Sequence, residues 1–315
     1  MSGFDMRVCA LREEARDVLG VELAPADGVP LPFDWAPGAH VDLRLPNGLV
    51  RQYSLVSRPA DGHLYFAVKR EPGSRGGSRW LHEDLRLGQI LGVDEPRNLF
   101  ELHEGSGEVL LIAGGIGITP LLAMYRACRA NARPVGLHYF ARERAGLAFR
   151  RELEEQADVY LHVGLERAAL HDRLGELLSM RGERASLYCC GPAGFMQRVR
   201  EVALVAGWPE KALHQEHFQA QAEPVTTTGF ELVLAASGRQ VRVIAGESVA
   251  AAATRAGVEI PLSCGMGMCG CCLTRVIEGQ PVHRDAYLGA AEQASGEWML
   301  PCVSGCAGAR LVLDC

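Results

Sequence analysis

The sequence has no long apolar run. Its longest, Val109 to Ile118, holds three glycines and falls short of the roughly 20 residues that a membrane helix needs. Met1 to Asp17 carries acids and arginines and no apolar stretch of signal-peptide length, so the expected location is cytoplasmic, with no membrane partner. Positive charge is not in excess. A net charge of −6 and a pI near 6.0 argue against a nucleic-acid partner. Internal repeats and low-complexity tracts are also missing. What remains is a chain of 315 residues, 48% hydrophobic, enough for ordinary cores in two or three domains.

Cysteine is plentiful. Eleven would be unusual for a cytosolic enzyme unless several bind metal. Cys264, Cys269 and Cys272 lie in one glycine-rich segment, and Cys302 follows in Leu300-Pro301-Cys302. C-x4-C-x2-C with a distant fourth cysteine is the spacing of a plant-type 2Fe-2S cluster. Soft thiolates suit an iron–sulfide core. Gly265, Gly267 and Gly270 let the backbone wrap closely and turn its N–H groups toward sulfur. Zinc would favour two C-x2-C pairs or histidine partners, and only one such pair exists. Disulfides fit the spacing but not the expected compartment. Cys271 should point away from the ligands, and Cys306 is the rival to Cys302 for the fourth place. The remaining thiols read as small buried hydrophobes.

Residues from about 7 to 102 read as strands. Val41 to Leu45 alternates, Pro46-Asn47-Gly48 turns, and Leu49 starts the return strand. Leu64 to Lys69 is a further strand. With no long helical pattern between them, these predict an antiparallel β-barrel. A boundary is expected near His103 to Gly107. Beyond it, strands at Val109–Ala113, Val135–Phe140, Val159–Val163 and Ser186–Cys190 alternate with helices. The helices are expected at Thr119 to Ala130, Phe149 to Gln156, Leu170 to Leu178 and Ala193 to Ala206. That alternation predicts a doubly wound α/β sheet. Gln219 to Thr228 reads as a polar linker. A third module follows, with strands at Phe230–Ala236 and Gln240–Ile244 and a short helix before the cysteine loop.

Two turns carry a nucleotide signal. Gly114-Gly115-Ile116-Gly117-Ile118-Thr119-Pro120 follows an apolar strand. Thr119 is expected to cap the helix, and Pro120 suits its first turn. Unpaired N–H groups at such a turn favour an anion. Tyr188-Cys189-Cys190-Gly191-Pro192 repeats the logic at a second strand end. In the barrel, Arg51-Gln52-Tyr53-Ser54 ends a strand pair, and Gly73 to Arg79 reads as a glycine-rich loop with two arginines suited to phosphate. Each alone also fits a ligand-free turn or a solvated strand end. Arg142 and Arg144, after the second α/β strand, could grip a 2′-phosphate or be a solvated loop.

Taken in order, these segments resemble the phthalate dioxygenase reductase family over nearly the whole chain. Pro96-Arg97-Asn98, His214-Gln215-Glu216-His217-Phe218, His283-Arg284-Asp285 and Leu311-Val312-Leu313-Asp314 extend the match. The resemblance implies an FMN-binding barrel over 1–102, an NAD-binding α/β domain over 103–222 and a β-grasp 2Fe-2S ferredoxin domain over 229–315. It implies that Arg51, Gln52, Tyr53 and Ser54 hold FMN, with the tyrosine on the ring and the serine at its reactive edge. Ala67, Val68 and Lys69 would line the ring, and Gly76, Gly77 and Ser78 would receive the phosphate. Gly115, Thr119 and Cys190 would border the nicotinamide path, and Phe218 would cover the flavin face. Ser54, Thr119, Cys190 and Phe218 would thus stand closest to the chemistry. Glu216 and His217 read as structural or orienting.

The function so implied is an NADH-dependent reductase. Electrons pass from NADH through FMN and the cluster to a separate Rieske-type aromatic oxygenase or demethylase. The flavin links a two-electron donor to a one-electron centre. The chain has no Rieske pair, no 2-His-1-carboxylate signal and no haem-ligand motif, so the oxygenating centre lies elsewhere. The same chemistry could serve a haem monooxygenase. A cluster-only carrier with decayed flavin and nucleotide sites is the reading from another class, and the intact glycine loops and Arg51-x-Tyr53-Ser54 disfavour it.

Overall fold

The computed structural model describes residues 3–73, 76–180, 182, 184–218, 229–262, 265, 267, 270–285 and 287–315. Ser74, Arg75, the expected linker, Cys264 and Cys269 lie outside the described residues. The chain divides into two compact units, Met1–Phe218 and Gln219–Cys315. Among the described residues no helix is long and apolar enough to cross a membrane.

The first unit opens with β1 (Phe4–Ala15), β2 (Val18–Pro25), β3 (His40–Arg44), β4 (Val50–Ser54), β5 (Leu64–Lys69), α1 (Gly77–Glu83) and β6 (Ile90–Val93). The strands run β4-β3-β6-β1-β2-β5, all antiparallel. A bridge between Leu55 and Phe66 joins the two end strands and closes the barrel. The β3–β4 turn forms at Pro46-Asn47-Gly48, where Gly48 has φ +80° and the Asn47 side chain accepts the Leu49 N–H at 3.2 Å. Alternate side chains such as Met6, Val8, Val41 and Leu43 fill the interior. The glycine-rich stretch after β5 is not all loop: Gly77, Ser78 and Arg79 are the first turn of α1. Seven residues give too short a periodic pattern to stand out beside the glycines.

β7 (Val109–Gly114), α2 (Ile118–Ala130), β8 (Val135–Ala141), α3 (Arg150–Leu153), β9 (Val159–Val163), α4 (Arg167–Ser179), β10 (Ser186–Cys190), α5 (Ala193–Val205) and β11 (Leu213–Glu216) follow. The strands are parallel in the order β11-β10-β7-β8-β9. β7 is buried at all six positions, as a central parallel strand covered on both faces must be. α2 packs its Ile118, Leu121 and Met124 on one face, and α4 and α5 pack Leu174, Leu178, Met196 and Val199 on the other. The helix expected over Phe149 to Gln156 is only four residues long. Phe149 takes φ +59° and sends its ring into the core, so the helix starts one residue later.

Barrel and parallel sheet share one apolar cluster. Val56, Tyr65 and Ala67 from the barrel pack with Ala113, Leu121, Tyr139 and Cys190. Arg126 of α2 donates to the Val56 carbonyl at 2.9 Å and grips the Glu152 carboxylate of α3 at 2.8 and 2.6 Å.

The second unit contains β12 (Phe230–Leu234), β13 (Arg239–Val243), α6 (Val249–Arg255), β14 (Thr274–Glu278), β15 (Pro281–Val282), α7 (Ala290–Ser295), β16 (Trp298–Met299), β17 (Gly305–Cys306) and β18 (Arg310–Leu313). Its main sheet runs β13-β12-β18-β14-β16, with β12 and β18 parallel and the other pairs antiparallel. The Ser248 hydroxyl caps α6 by accepting the Ala251 N–H at 3.1 Å. Phe230, Leu232, Val249, Ala253 and Leu311 are among the core residues between helix and sheet. This is the β-grasp arrangement.

Candidate functional site

In the barrel, β4 sets Arg51, Gln52, Tyr53 and Ser54 opposite Leu43, Asp42, Val41 and His40 of β3. The Tyr53 ring stacks on Phe66 of β5 with centroids 5.1 Å apart and planes 10° from parallel. Phe66 is fully buried in the barrel core and backs the Tyr53 ring from behind. Burial pushes the Tyr53 hydroxyl above its ordinary range, so it stays protonated. Gln52 Nε2 lies 3.4 Å from His40 Nε2. Burial and then Arg97 hold His40 down at about 4, which keeps that imidazole neutral. Ser54 is buried.

Arg51 and the start of α1 come together. A Cβ added at Gly77 would fall 2.5 Å from Arg51 Nε and 2.7 Å from its Cγ. Only glycine lets the arginine lie there. Gly76 takes φ +95°, which again favours glycine. The Ser78 hydroxyl accepts the Glu71 N–H at 3.2 Å. In β5, Ala67 and Val68 are buried, while Lys69 is exposed and pairs with Glu71 at 2.9 Å. A guanidinium against a glycine turn is chemistry that fits a phosphate. A flat apolar wall beside it fits an aromatic ring system.

The second element is the crevice between β7 and β10, where strand order reverses. A Cβ at Gly117 would sit 2.2 Å from the Cys190 carbonyl oxygen, and one at Gly191 would sit 3.0 Å from Gly114 Cα. The two turns therefore meet backbone to backbone. Barrel strand β5 lies against the 115–117 turn, so the barrel wall and the crevice adjoin. Gly115 has φ +56°. Thr119 is not the cap of α2. Gly117 holds the N-cap position, and the Thr119 hydroxyl donates to the Ile116 carbonyl at 3.1 Å. The turn through Gly117 starts the helix one residue sooner, so Thr119 falls inside its first turn, beside Pro120. The Cys190 side chain is fully buried, and burial, then Glu216, push its thiol far above its ordinary value. Cys190 is therefore a neutral thiol here, not a thiolate.

Glu216 ends β11 in register with Cys190. Its carboxyl is buried, Oε2 has no partner among the described residues, and burial raises it to about 8. Nothing in its sequence position signals this; only the parallel pairing of β10 and β11 does. Phe218 closes the first unit with 41% of its surface exposed, so it is not a core side chain. Arg144 is engaged by Glu154, while Arg142 forms no ion pair among the described residues.

In the second unit, Cys272 precedes β14 and Cys302 follows β16. Their Sγ atoms are 3.2 Å apart, converged yet well beyond the roughly 2.05 Å of a disulfide. Gly265, Gly267 and Gly270 have φ of +67°, +71° and +70°. A Cβ at Gly270 would strike the Tyr287 ring at 2.3 Å, and one at Gly267 would strike Val303 at 2.5 Å. Cys271 is half-buried. Cys306 is taken up in a turn, its Sγ donating to the Arg310 carbonyl and accepting the Gly308 N–H, each at 3.3 Å. Two converging thiols, with three left-handed glycines in the segment that leads to Cys272, are a donor set that fits a 2Fe-2S cluster.

The family model for the 2Fe-2S iron–sulfur cluster binding domain matches residues 233–306. A vanillate O-demethylase oxidoreductase from Pseudomonas sp. (strain HR199 / DSM 7063) is 41% identical over 98% of this chain and 98% of its own. Among solved structures, phthalate dioxygenase reductase, described as a modular structure for electron transfer from pyridine nucleotides to [2Fe-2S], superposes with a TM-score of 0.76. It is 33% identical, with 99% of this chain and 98% of that one covered. An intact type IV self-sufficient cytochrome P450 monooxygenase superposes with a TM-score of 0.79 at 34% identity. The match covers 99% of this chain but only 41% of that longer one.

Proposed function

The chain belongs to the family of oxygenase-system reductases that includes phthalate dioxygenase reductase, and on that premise we propose that it passes electrons from NADH through FMN and a 2Fe-2S cluster to a Rieske-type aromatic oxygenase or demethylase. A bound flavin would supply the link between two-electron and one-electron chemistry, and a cluster held by the cysteines would supply single-electron transfer. The work of this chain is to bind, orient and exclude water. Arg51, Gly76, Gly77 and Ser78 hold the flavin phosphate. Tyr53, with Phe66 behind it, packs on the ring, and Ser54 and residues 67–69 line its edge. The crevice at Gly115, Thr119 and Cys190 receives nicotinamide, and Phe218 covers the exposed flavin face. No general base is needed for hydride transfer. Cys264, Cys269, Cys272 and Cys302 hold the cluster. The assignment implies domains over 1–102, 103–222 and 229–315.

The observation that supports this reading is the junction of β5 with the 115–117 turn, which joins the barrel and the parallel sheet through one apolar cluster in one compact unit. A visible spectrum of the purified protein tests it. Flavin bands bleached by NADH are expected, with faster turnover on NADH than on NADPH. Their absence would leave a bare electron carrier. The likeness to part of a self-sufficient cytochrome P450 monooxygenase chain favours a second reading for the partner, a haem monooxygenase. Turnover assays with a Rieske oxygenase and with a P450 decide between the two acceptors.

A further inference from the structure

His283-Arg284-Asp285 has no task in the electron path described so far. The Asp285 side chain is fully buried. Its Oδ2 accepts the Leu288 N–H at 2.9 Å and its Oδ1 accepts the Ser304 hydroxyl at 3.1 Å. His283 Nδ1 lies 3.3 Å from the same Oδ1, which makes Nδ1 the donor. The His283 side chain is about nine-tenths buried, and its Nε2 meets no partner among the described residues. The ring thus serves Asp285. The Ser304 hydroxyl also accepts the Arg284 N–H at 3.4 Å, and Ser304 is fully buried.

The network touches both halves of the cysteine set. Ser304 stands two residues after Cys302. On the other side, a Cβ at Gly267 would meet Asp285 Cα at 2.9 Å and Cβ at 3.0 Å, so Asp285 packs directly on Gly267, which stands between Cys264 and Cys269 in the sequence. A packing role alone would call for an apolar side chain here. A buried carboxylate is costly unless fully compensated, and it acts over long range in a low dielectric. Charge near a cluster, and the hydrogen bonds that spread it, are what set its potential.

We propose that Asp285 is a positioning residue of the cluster site, joining the Cys302 segment to the cysteine loop and, through its charge, holding the reduction potential of the cluster low enough to pass electrons onward. Ser304 and His283 moderate that charge by hydrogen bonding. This rests on the reading of the second unit as a 2Fe-2S module.

Two variants of the full-length protein test it by opposite signs. Asp285→Asn keeps the shape and removes the charge, so the midpoint potential, followed by an EPR-monitored titration, should move positive with iron content retained. Ser304→Ala removes a donor and leaves the charge less dispersed, so the potential should move negative. NADH reduction of the flavin should be unchanged in both. An unmoved potential in both, or shifts of the same sign, would overturn the proposal. If Asp285→Asn loses iron, Ser304→Ala still decides: no negative shift would reduce the network to packing. Wild-type protein purified without iron would instead bring down the function reading itself.

Discussion

Glycine makes close approach possible in both units, but by different means. In the first, Gly117 and Gly191 sit at the ends of parallel strands and let two backbones touch; Gly117 itself has ordinary helical dihedrals. In the second, Gly265, Gly267 and Gly270 are all left-handed, a conformation that glycine adopts without strain. The nucleotide crevice is therefore a by-product of sheet topology, rigid because the strands are. These three glycines lie outside every strand and helix of the described residues. They depend on their own dihedrals and on side chains, Tyr287, Val303 and Asp285, that fill the space a Cβ would take. A two-electron hydride step needs fixed near-attack geometry. A cluster needs only that its four donors converge.

The comparison breaks first if the units depend on each other. Cys302→Ser should abolish the cluster outright, seen as lost iron and lost long-wavelength absorbance, while NADH still reduces ferricyanide through the flavin. Loss of the NADH reaction would tie hydride transfer to the second unit. Next in size is a pH effect confined to the first unit. Folded Glu216 titrates at about 8, above the ordinary 4.5, so the stability of its protonated form is full below pH 4.5 and drains away as pH rises toward 8. Glu216→Gln should escape that loss. Its denaturation midpoint should gain on wild type between those limits, by a few kcal/mol at most, and run parallel above them.

Arg51→Ala should weaken flavin binding by about 1.5–3 kcal/mol, the usual worth of a charge-assisted hydrogen bond, with the cluster spectrum intact; equilibrium dialysis of flavin measures it. Gly117→Ala pushes a methyl into the Cys190 carbonyl and should cost on the order of 1–3 kcal/mol, read from the unfolding midpoint, together with slower NADH reduction. A methyl accepted there without cost would show that the two turns give way more than strand ends should. Smallest is Cys306→Ser, expected to leave iron content unchanged and to shift stability by about 0.5 kcal/mol or less. Iron lost from that variant and kept in Cys302→Ser would reverse the fourth ligand.

What could be read from the sequence follows the same divide. The α/β strands were legible because β7 is apolar throughout and its turn is marked by glycine and proline. The barrel was legible from alternation in β3 and β5, and the cluster from spacing alone. The α1 helix was not, since its seven residues begin on a glycine of the stretch after β5. Thr119 looked like a cap because its type is right; the preceding turn through Gly117 took that position instead. Phe66 and Glu216 gave no signal, for their significance comes from what stands beside them, Tyr53 across the barrel seam and Cys190 on the next strand. Pairings between distant segments leave no mark on local pattern.

The apolar cluster shared by Val56, Tyr65 and Ala67 with the parallel sheet bears on how such proteins are assembled from parts. Cutting between barrel and sheet would expose that seam on both pieces, and Arg126 would be deprived of its carbonyl partner on Val56. The seam lies wholly within the first unit, so the end of that unit near residue 218 does not interrupt it. A division near residue 218 follows the boundary between the two compact units, whereas one near residue 102 splits a shared core.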